Sequence, residues 1–176
     1  TLFFGGNDFA PKTRIDGVPI QEYLQSHYIG ALQQVALRLK DMPHVIGYDT
    51  MNEPSQGFIG YPVGARASQI VLNGFAPTIL QGMWLAAGFP QKVKHTSNNP
   101  VSLHHIKSTM ANTDKVSVWK EGVEPVWKQN GVWGVHEDGS PHVIDPDHFA
   151  ALDGHGVDFY RDYFVPFAER YAREMR

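Results

Sequence analysis

Apolar side chains recur at helical spacing along two long stretches of this sequence. In residues 20–40 they fall three or four positions apart, which predicts an amphipathic helix. The predicted buried stripe consists of Ile20, Tyr23, Leu24, Tyr28, Leu32, Val35 and Leu39. Pro43 ends this helix, because the residue before a proline avoids helical backbone angles. Residues 157–176 form the second stretch, with Asp158 as the predicted N-cap and Pro166 either kinking the helix or starting its main segment.

A short apolar run at residues 45–48 follows the first helix after a brief turn. Val45, Ile46 and Tyr48 favour a strand, and the strand must end before Pro54, which cannot donate to a sheet ladder. Helix, short turn and buried strand make up half of a parallel βαβ unit. This order predicts an α/β fold, with Glu53 at the carboxyl end of the strand, where parallel folds place active sites.

The remaining segments carry local signals of turns, hairpins and short helices. Residues 1–4 are apolar and fit a strand or a helix end, residues 7–11 are predicted to be a loop, and Asp16-Gly17 marks a turn. Residues 79–87 predict a short helix, and the Asp138-Gly139 pair between two apolar runs predicts a hairpin. No regular alternation of strands and helices runs through residues 56–156, which favours a long insertion over an active site.

Length and composition narrow the class of protein. The 176 residues are too few for a complete (β/α)₈ barrel, which takes about 250. The chain starts at Thr1 inside an apolar run and ends at Arg176 inside a predicted helix, so we expect a fragment. The net charge of -3, with both signs interspersed, argues against nucleic-acid binding and a polybasic membrane patch. No apolar run is long enough for a membrane span, and cytoplasmic and secreted locations both stay open.

The candidate chemistry lies in the Asn52-Glu53-Pro54 turn. A carboxylate at a strand end, beside an amide that can hold a sugar hydroxyl, suits general acid/base catalysis. The alternative is that Glu53 only caps a helix or a turn. The histidine spacing fits no metal site, and the sequence contains no nucleotide fingerprint or nucleophile elbow, so no metal and no cofactor are predicted.

Residues 46–55, which read IGYDTMNEPS, resemble the signature of glycoside hydrolase family 5, the cellulase-like retaining glycosidases. The resemblance implies part of a (β/α)₈ barrel, with this turn closing the fourth strand. It implies Glu53 as the acid/base and Asn52 as a hydrogen-bond partner of the sugar 2-hydroxyl. Residues 2–12, 15–17 and 20–27 are similar to the endoglycoceramidase-like branch, which includes glucosylceramidases and steryl-β-glucosidases.

The same resemblance sets the expected function and boundaries. Residues 1–176 would be a partial catalytic domain, truncated at both ends, with an insertion at about 56–156. The implied reaction is retaining hydrolysis of a β-glucosidic bond in a glycolipid or a β-glucan, and the nucleophile is expected beyond Arg176. Asn7 and Asp8, in a loop on the catalytic face, would contact sugar hydroxyls, although Asp8 equally suits a turn cap. The alternative function is a non-catalytic sugar- or lipid-binding remnant.

Overall fold

The computed structural model describes residues 1–66, 74–96 and 105–175, which divide into two compact units. The first unit comprises Thr1–Gly60 and Leu152–Arg176, and the second comprises Tyr61–Ala151. The helices are α1 (Leu2–Phe9), α2 (Ile20–Leu39), α3 (Ile79–Ala86), α4 (Val126–Gln129) and α5 (Val165–Glu174), with a π-helical turn at Tyr160–Phe164. The strands are β1 (Arg14–Ile15), β2 (Val18–Pro19), β3 (Phe75–Ala76), β4 (Gln91–Thr96), β5 (His105–Ala111), β6 (Trp133–Val135), β7 (Pro141–Val143), β8 (Ala151–Leu152) and β9 (His155–Gly156).

Helix α1 corrects the predicted loop at residues 7–11. Asn7 and Asp8 lie in the last turn of this helix and are exposed. The backbone of Gly5 leaves helical angles (φ -122°, ψ 26°), so the helix kinks there and then continues. Phe9 is fully buried directly after the two polar residues, and its burial holds the last turn against the core.

Helix α2 confirms the first predicted helix, but its buried face differs from the predicted stripe. Its buried residues are Ile20, Gln25 and Ile29, whereas Val35 is 45% exposed. The amino-terminal half of the helix packs against α1, while no described residue covers the outer face of its carboxyl-terminal half. The spacing of apolar residues alone cannot predict that the two halves of the helix differ in burial.

Edge-to-face aromatic pairs join α1, α2 and α5. Phe4 contacts Phe159 and Phe167 at ring-centroid distances of 5.0 and 5.5 Å, and Phe3 contacts Tyr28 at 5.5 Å. Such pairs contribute about 0.5–1.5 kcal/mol each beyond the area they bury. The second predicted helical stretch, residues 157–176, therefore contributes Phe159 and Phe167 to the core of the first unit.

Residues 45–48 are not a strand in this structure, which corrects the prediction. No described residue pairs with them, and Ile46 is fully exposed. A strand needs a neighbour to satisfy its backbone groups, so an apolar run of high strand propensity does not become one alone. Within the first unit, the segment borders a groove of about 700 Å³ lined also by the carboxyl-terminal half of α2 and by Met175.

The second unit is built on an antiparallel three-stranded sheet in the order β3-β4-β5. Thr78 and Gln81 form a reciprocal capping box at the start of α3, which confirms the predicted short helix. The predicted hairpin is also confirmed, with β6 and β7 antiparallel and Trp133 opposite Val143. Trp133 is 1% exposed and contacts the Phe89 ring, so it belongs to the core of this unit.

Candidate active site

The Asn52-Glu53 turn is held in place on both sides. Before it, the hydroxyl of Tyr28 on α2 donates to the Thr50 carbonyl oxygen at 2.7 Å. After it, the backbone N–H of Phe58 donates to Thr1 Oγ1 at 2.8 Å, and the next residue is fully buried. The turn is therefore a fixed connection between two anchored points of the first unit.

Glu53 itself adopts a backbone conformation that is unusual for its residue type. Its φ is 45°, in the left-handed region, and it precedes a proline, which further restricts its backbone. Three of the other four non-glycine residues with positive φ are Asp or Asn, which tolerate that region. Among the described residues none forms a hydrogen bond to the Glu53 carboxylate, and both Asn52 and Glu53 are exposed. A strained conformation of this kind costs about 1–3 kcal/mol and is often found at functional sites.

Tyr28 supports the Asn52-Glu53 turn, a contact that the sequence prediction missed. The predicted stripe treated it as core, but its hydroxyl supports the turn. Burial, and then the Asp49 carboxylate, raise the pKa of Tyr28, so it stays a neutral donor well into alkaline pH. A tyrosine on a helix face shows no sequence signal for such a contact, because its partner lies 22 residues away.

Asn7 and Asp8 line a different feature, a cavity of about 360 Å³ between α1, α2 and α5. Tyr163 also lines it, and burial followed by the nearby Asp8 carboxylate raises the pKa of that tyrosine. Thr1, which anchors the far side of the Glu53 turn, lies at the opposite end of α1, about 10 Å away at 1.5 Å per residue. Asn7 and Asp8 thus line this cavity, whereas Asn52 and Glu53 do not. Sugar contacts by all four residues stay predictions.

A charged network closes one side of the same cavity. The guanidinium of Arg170 donates to both Glu22 carboxylate oxygens at 2.7 Å, to Gln25 Oε1 at 3.1 Å and to Glu174 Oε1 at 2.7 Å. The hydrogen bonds from Arg170 lower the pKa of Glu22. This network ties α5 to the amino-terminal half of α2 and fixes the cavity wall.

Within the described parts of the chain, no three histidine, cysteine or acidic side chains gather closely enough to hold a metal ion. No described helix has both the length and the apolar character required to cross a membrane.

Comparison with known proteins relates the chain to proteins named glucosylceramidase and ergosteryl-β-glucosidase. No family model matches the chain. The chain is 34% identical over its whole length to a glucosylceramidase of Rhizopus delemar, of which it covers 26%. It is 33% identical over 94% of its length to a glucosylceramidase of Aspergillus fumigatus, of which it covers 24%.

Among solved structures, the chain superimposes on the crystal structure of sterylglucosidase 1 from Cryptococcus neoformans with a TM-score of 0.87. The two are 28% identical, and the match covers 100% of this chain and 28% of that one. The chain thus spans about a quarter of the length of the relatives it matches. The similarity therefore concerns only a part of each of these relatives.

Proposed function

We propose that this chain supplies the acid/base part of the active site of a retaining β-glucosidase that acts on a glycolipid. The proposal rests on the conformation of Glu53. Its carboxylate is exposed, its backbone φ is 45°, and its turn is anchored on both sides. The similarity to proteins named glucosylceramidase and sterylglucosidase supports the reaction and the class of substrate.

The chemistry assigned to Glu53 is proton transfer at the glycosidic oxygen. As the bond to the lipid alcohol breaks, the protonated carboxyl gives its proton to the leaving oxygen, and the carboxylate later takes a proton from the attacking water. Asn52, next to it on the same exposed turn, offers an amide to the sugar 2-hydroxyl. Such a hydrogen bond strengthens as the ring approaches its oxocarbenium-like transition state.

A retaining mechanism also needs a nucleophilic carboxylate about 5–5.5 Å from the acid/base. We assign that role to none of the residues of this chain and expect it at a later strand end of a family 5 barrel. The uncovered groove beside residues 45–48 supports the barrel, since its apolar wall includes Leu37 and the fully exposed Ile46. Neighbouring strands and their helices would satisfy the backbone of this segment and bury these side chains.

The first experiment is to read the coding sequence on both sides of this chain and to express the whole protein. With glucosylceramide or a steryl glucoside as substrate, Glu53→Gln should lower kcat by about 10²–10⁴-fold, the usual contribution of a general acid/base. The loss should be smaller with an aryl glucoside whose leaving group needs no protonation. Glu169→Gln, which changes an exposed glutamate on α5 in the same way, is the matched control and should stay within about twofold.

Retention of more than about a tenth of the activity by Glu53→Gln on the natural glucoside would contradict the acid/base role. A flanking sequence without a second strand-end carboxylate, in a protein that binds glucosides without hydrolysing them, would replace the proposal by the non-catalytic alternative.

A further inference from the structure

The second unit carries a local excess of positive charge that the overall balance conceals. Residues 92–120 contain five lysines and a single acidic residue, Asp114, whereas residues 121–147 contain six acidic residues and only Lys128. The two signs, which are interspersed over the whole chain, are therefore separated within residues 92–147. The lysines are Lys92, Lys94, Lys107, Lys115 and Lys120, all exposed, and none forms an ion pair with a described residue.

The pairing of β4 with β5 brings part of this charge onto one side of the sheet. Lys92 lies opposite Met110, and Lys94, two residues further along the strand, shares their face. The Val93 side chain between them points to the other face and is 1% exposed, while Met110 is 50% exposed. The outer face at this end of the sheet is therefore both basic and partly apolar.

The loop that follows β5 presents two valines to solvent from a fixed backbone. Asn112 holds the loop, because its side chain accepts from the Val116 N–H and donates to the Val116 and Leu85 carbonyl oxygens, each at 2.9 Å. The N–H of Val118 donates to the Ala86 carbonyl oxygen at 3.0 Å. Val116 is nevertheless 63% exposed and Val118 75% exposed. These hydrogen bonds hold the loop in a conformation in which both valines are exposed.

We infer that Lys92, Lys94, Met110, Lys115, Val116 and Val118 form a docking surface for an anionic lipid membrane, here called the lysine–valine surface. The lysines attract the acidic headgroups, and the valines and the methionine enter the boundary between headgroups and acyl chains. The pair formed by Lys92 and Met110 is the last but one of the β4–β5 ladder, so it lies near the start of the loop.

The chemistry of the surface distinguishes a membrane from a nucleic acid. Nucleic-acid surfaces typically combine basic residues with arginine forks or stacking aromatic side chains, which hold phosphates and bases. The lysine–valine surface contains only lysines as its basic residues, beside exposed aliphatic side chains. Aliphatic side chains gain free energy in lipid and none against a phosphate backbone.

The test is flotation of the whole protein that contains this chain with vesicles of phosphatidylcholine containing about a third phosphatidylserine, against vesicles of phosphatidylcholine alone. The protein should bind the anionic vesicles, and Lys92→Glu with Lys115→Glu should weaken binding at least about tenfold. The matched control, Lys12→Glu with Lys128→Glu, changes the net charge equally but lies outside the surface. High salt should weaken the wild-type binding, because it screens the lysines.

A second pair of variants tests the apolar contribution. Val116→Ser with Val118→Ser should weaken vesicle binding about tenfold and leave its salt dependence intact. Val135→Ser with Val143→Ser removes two exposed valines of the β6–β7 hairpin and should have no such effect. Each variant should keep the circular-dichroism spectrum of the wild-type protein.

The inference would be overturned by equal binding to neutral and anionic vesicles, or by equal effects of the surface and control variants. Binding to duplex RNA that is tighter than binding to anionic vesicles would also overturn it. Glu53→Gln should bind vesicles like the wild type, so failure of the proposed catalysis and failure of this surface are separate results.

Discussion

A comparison of Arg170→Met with Glu22→Gln tests which contact of Arg170 contributes most to the stability of the first unit. The Glu22 side chain is 48% exposed, so its ion pair with Arg170 contributes about 0.2–1 kcal/mol. The bond to Glu174, one turn away on the same helix, adds about 0.3–0.5 kcal/mol. Gln25 is only 3% exposed, and leaving its Oε1 without Arg170 costs about 1–3 kcal/mol.

The hydrogen bond to the buried Gln25 amide should therefore contribute more to the free energy of unfolding than the bonds to the two carboxylates. We expect Arg170→Met to lower the free energy of unfolding by about 2–3 kcal/mol, and Glu22→Gln to lower it by less than about 1 kcal/mol. The measurement is urea unfolding followed by the helical circular-dichroism signal. In a double-mutant cycle, Gln25 and Arg170 should couple by about 1–2 kcal/mol, more strongly than Glu22 and Arg170.

The pH dependence supplies a second readout for the same network. Because the pKa of Glu22 is lowered in the folded chain, its contribution is present above its ordinary value of 4.5 and is lost as pH falls through the folded value. Arg170→Met should remove this part of the acid sensitivity. A loss in Glu22→Gln as large as that in Arg170→Met would refute the reasoning, since it would show that the exposed ion pair dominates.

Two further predictions concern the first unit. Gly6→Ala would place its Cβ 2.8 Å from Ile20 Cγ2 and should destabilise by about 1–3 kcal/mol in urea unfolding, whereas Gly30→Ala, with open space around the new Cβ, should be neutral or stabilising. Burial and Asp8 raise the pKa of Tyr163, so its contribution is complete below its ordinary value of 10 and is lost as pH rises through the folded value. Tyr163→Phe should flatten the fall in stability above about pH 10, and an unchanged alkaline profile would contradict this.

Local sequence signals predicted the elements that local interactions stabilise. Helical spacing predicted α2, and the Asp138-Gly139 pair predicted the β6–β7 hairpin. Asp158 accepts the Arg161 N–H at 2.8 Å as the predicted N-cap, and Pro166 lies in the first turn of α5. In each case the stabilising partner lies within a few residues, so a short stretch of sequence is enough to predict the element.

Features that depend on distant partners were not predictable in this way. The run at residues 45–48 has the side chains of a strand but no described neighbour to pair with. Strands β4 and β5 were missed, because Lys92-Val93-Lys94 alternates over too few positions to stand out from a loop. Gln25 reads as a polar position, yet Phe3 and Arg170 satisfy its amide and allow its burial.

The case for chemistry at Glu53 rests on what this residue fails to contribute to folding. Its carboxylate is exposed and bonds to no described residue, so its removal should cost the first unit little. Its backbone adopts a conformation that glycine would take without strain, while the contacts of Thr50 and Phe58 hold the turn from both sides. If Glu53 were a turn cap, its carboxylate would accept a hydrogen bond and its backbone angles would be relaxed. These observations favour the proposed acid/base role of Glu53 over a role as a turn cap.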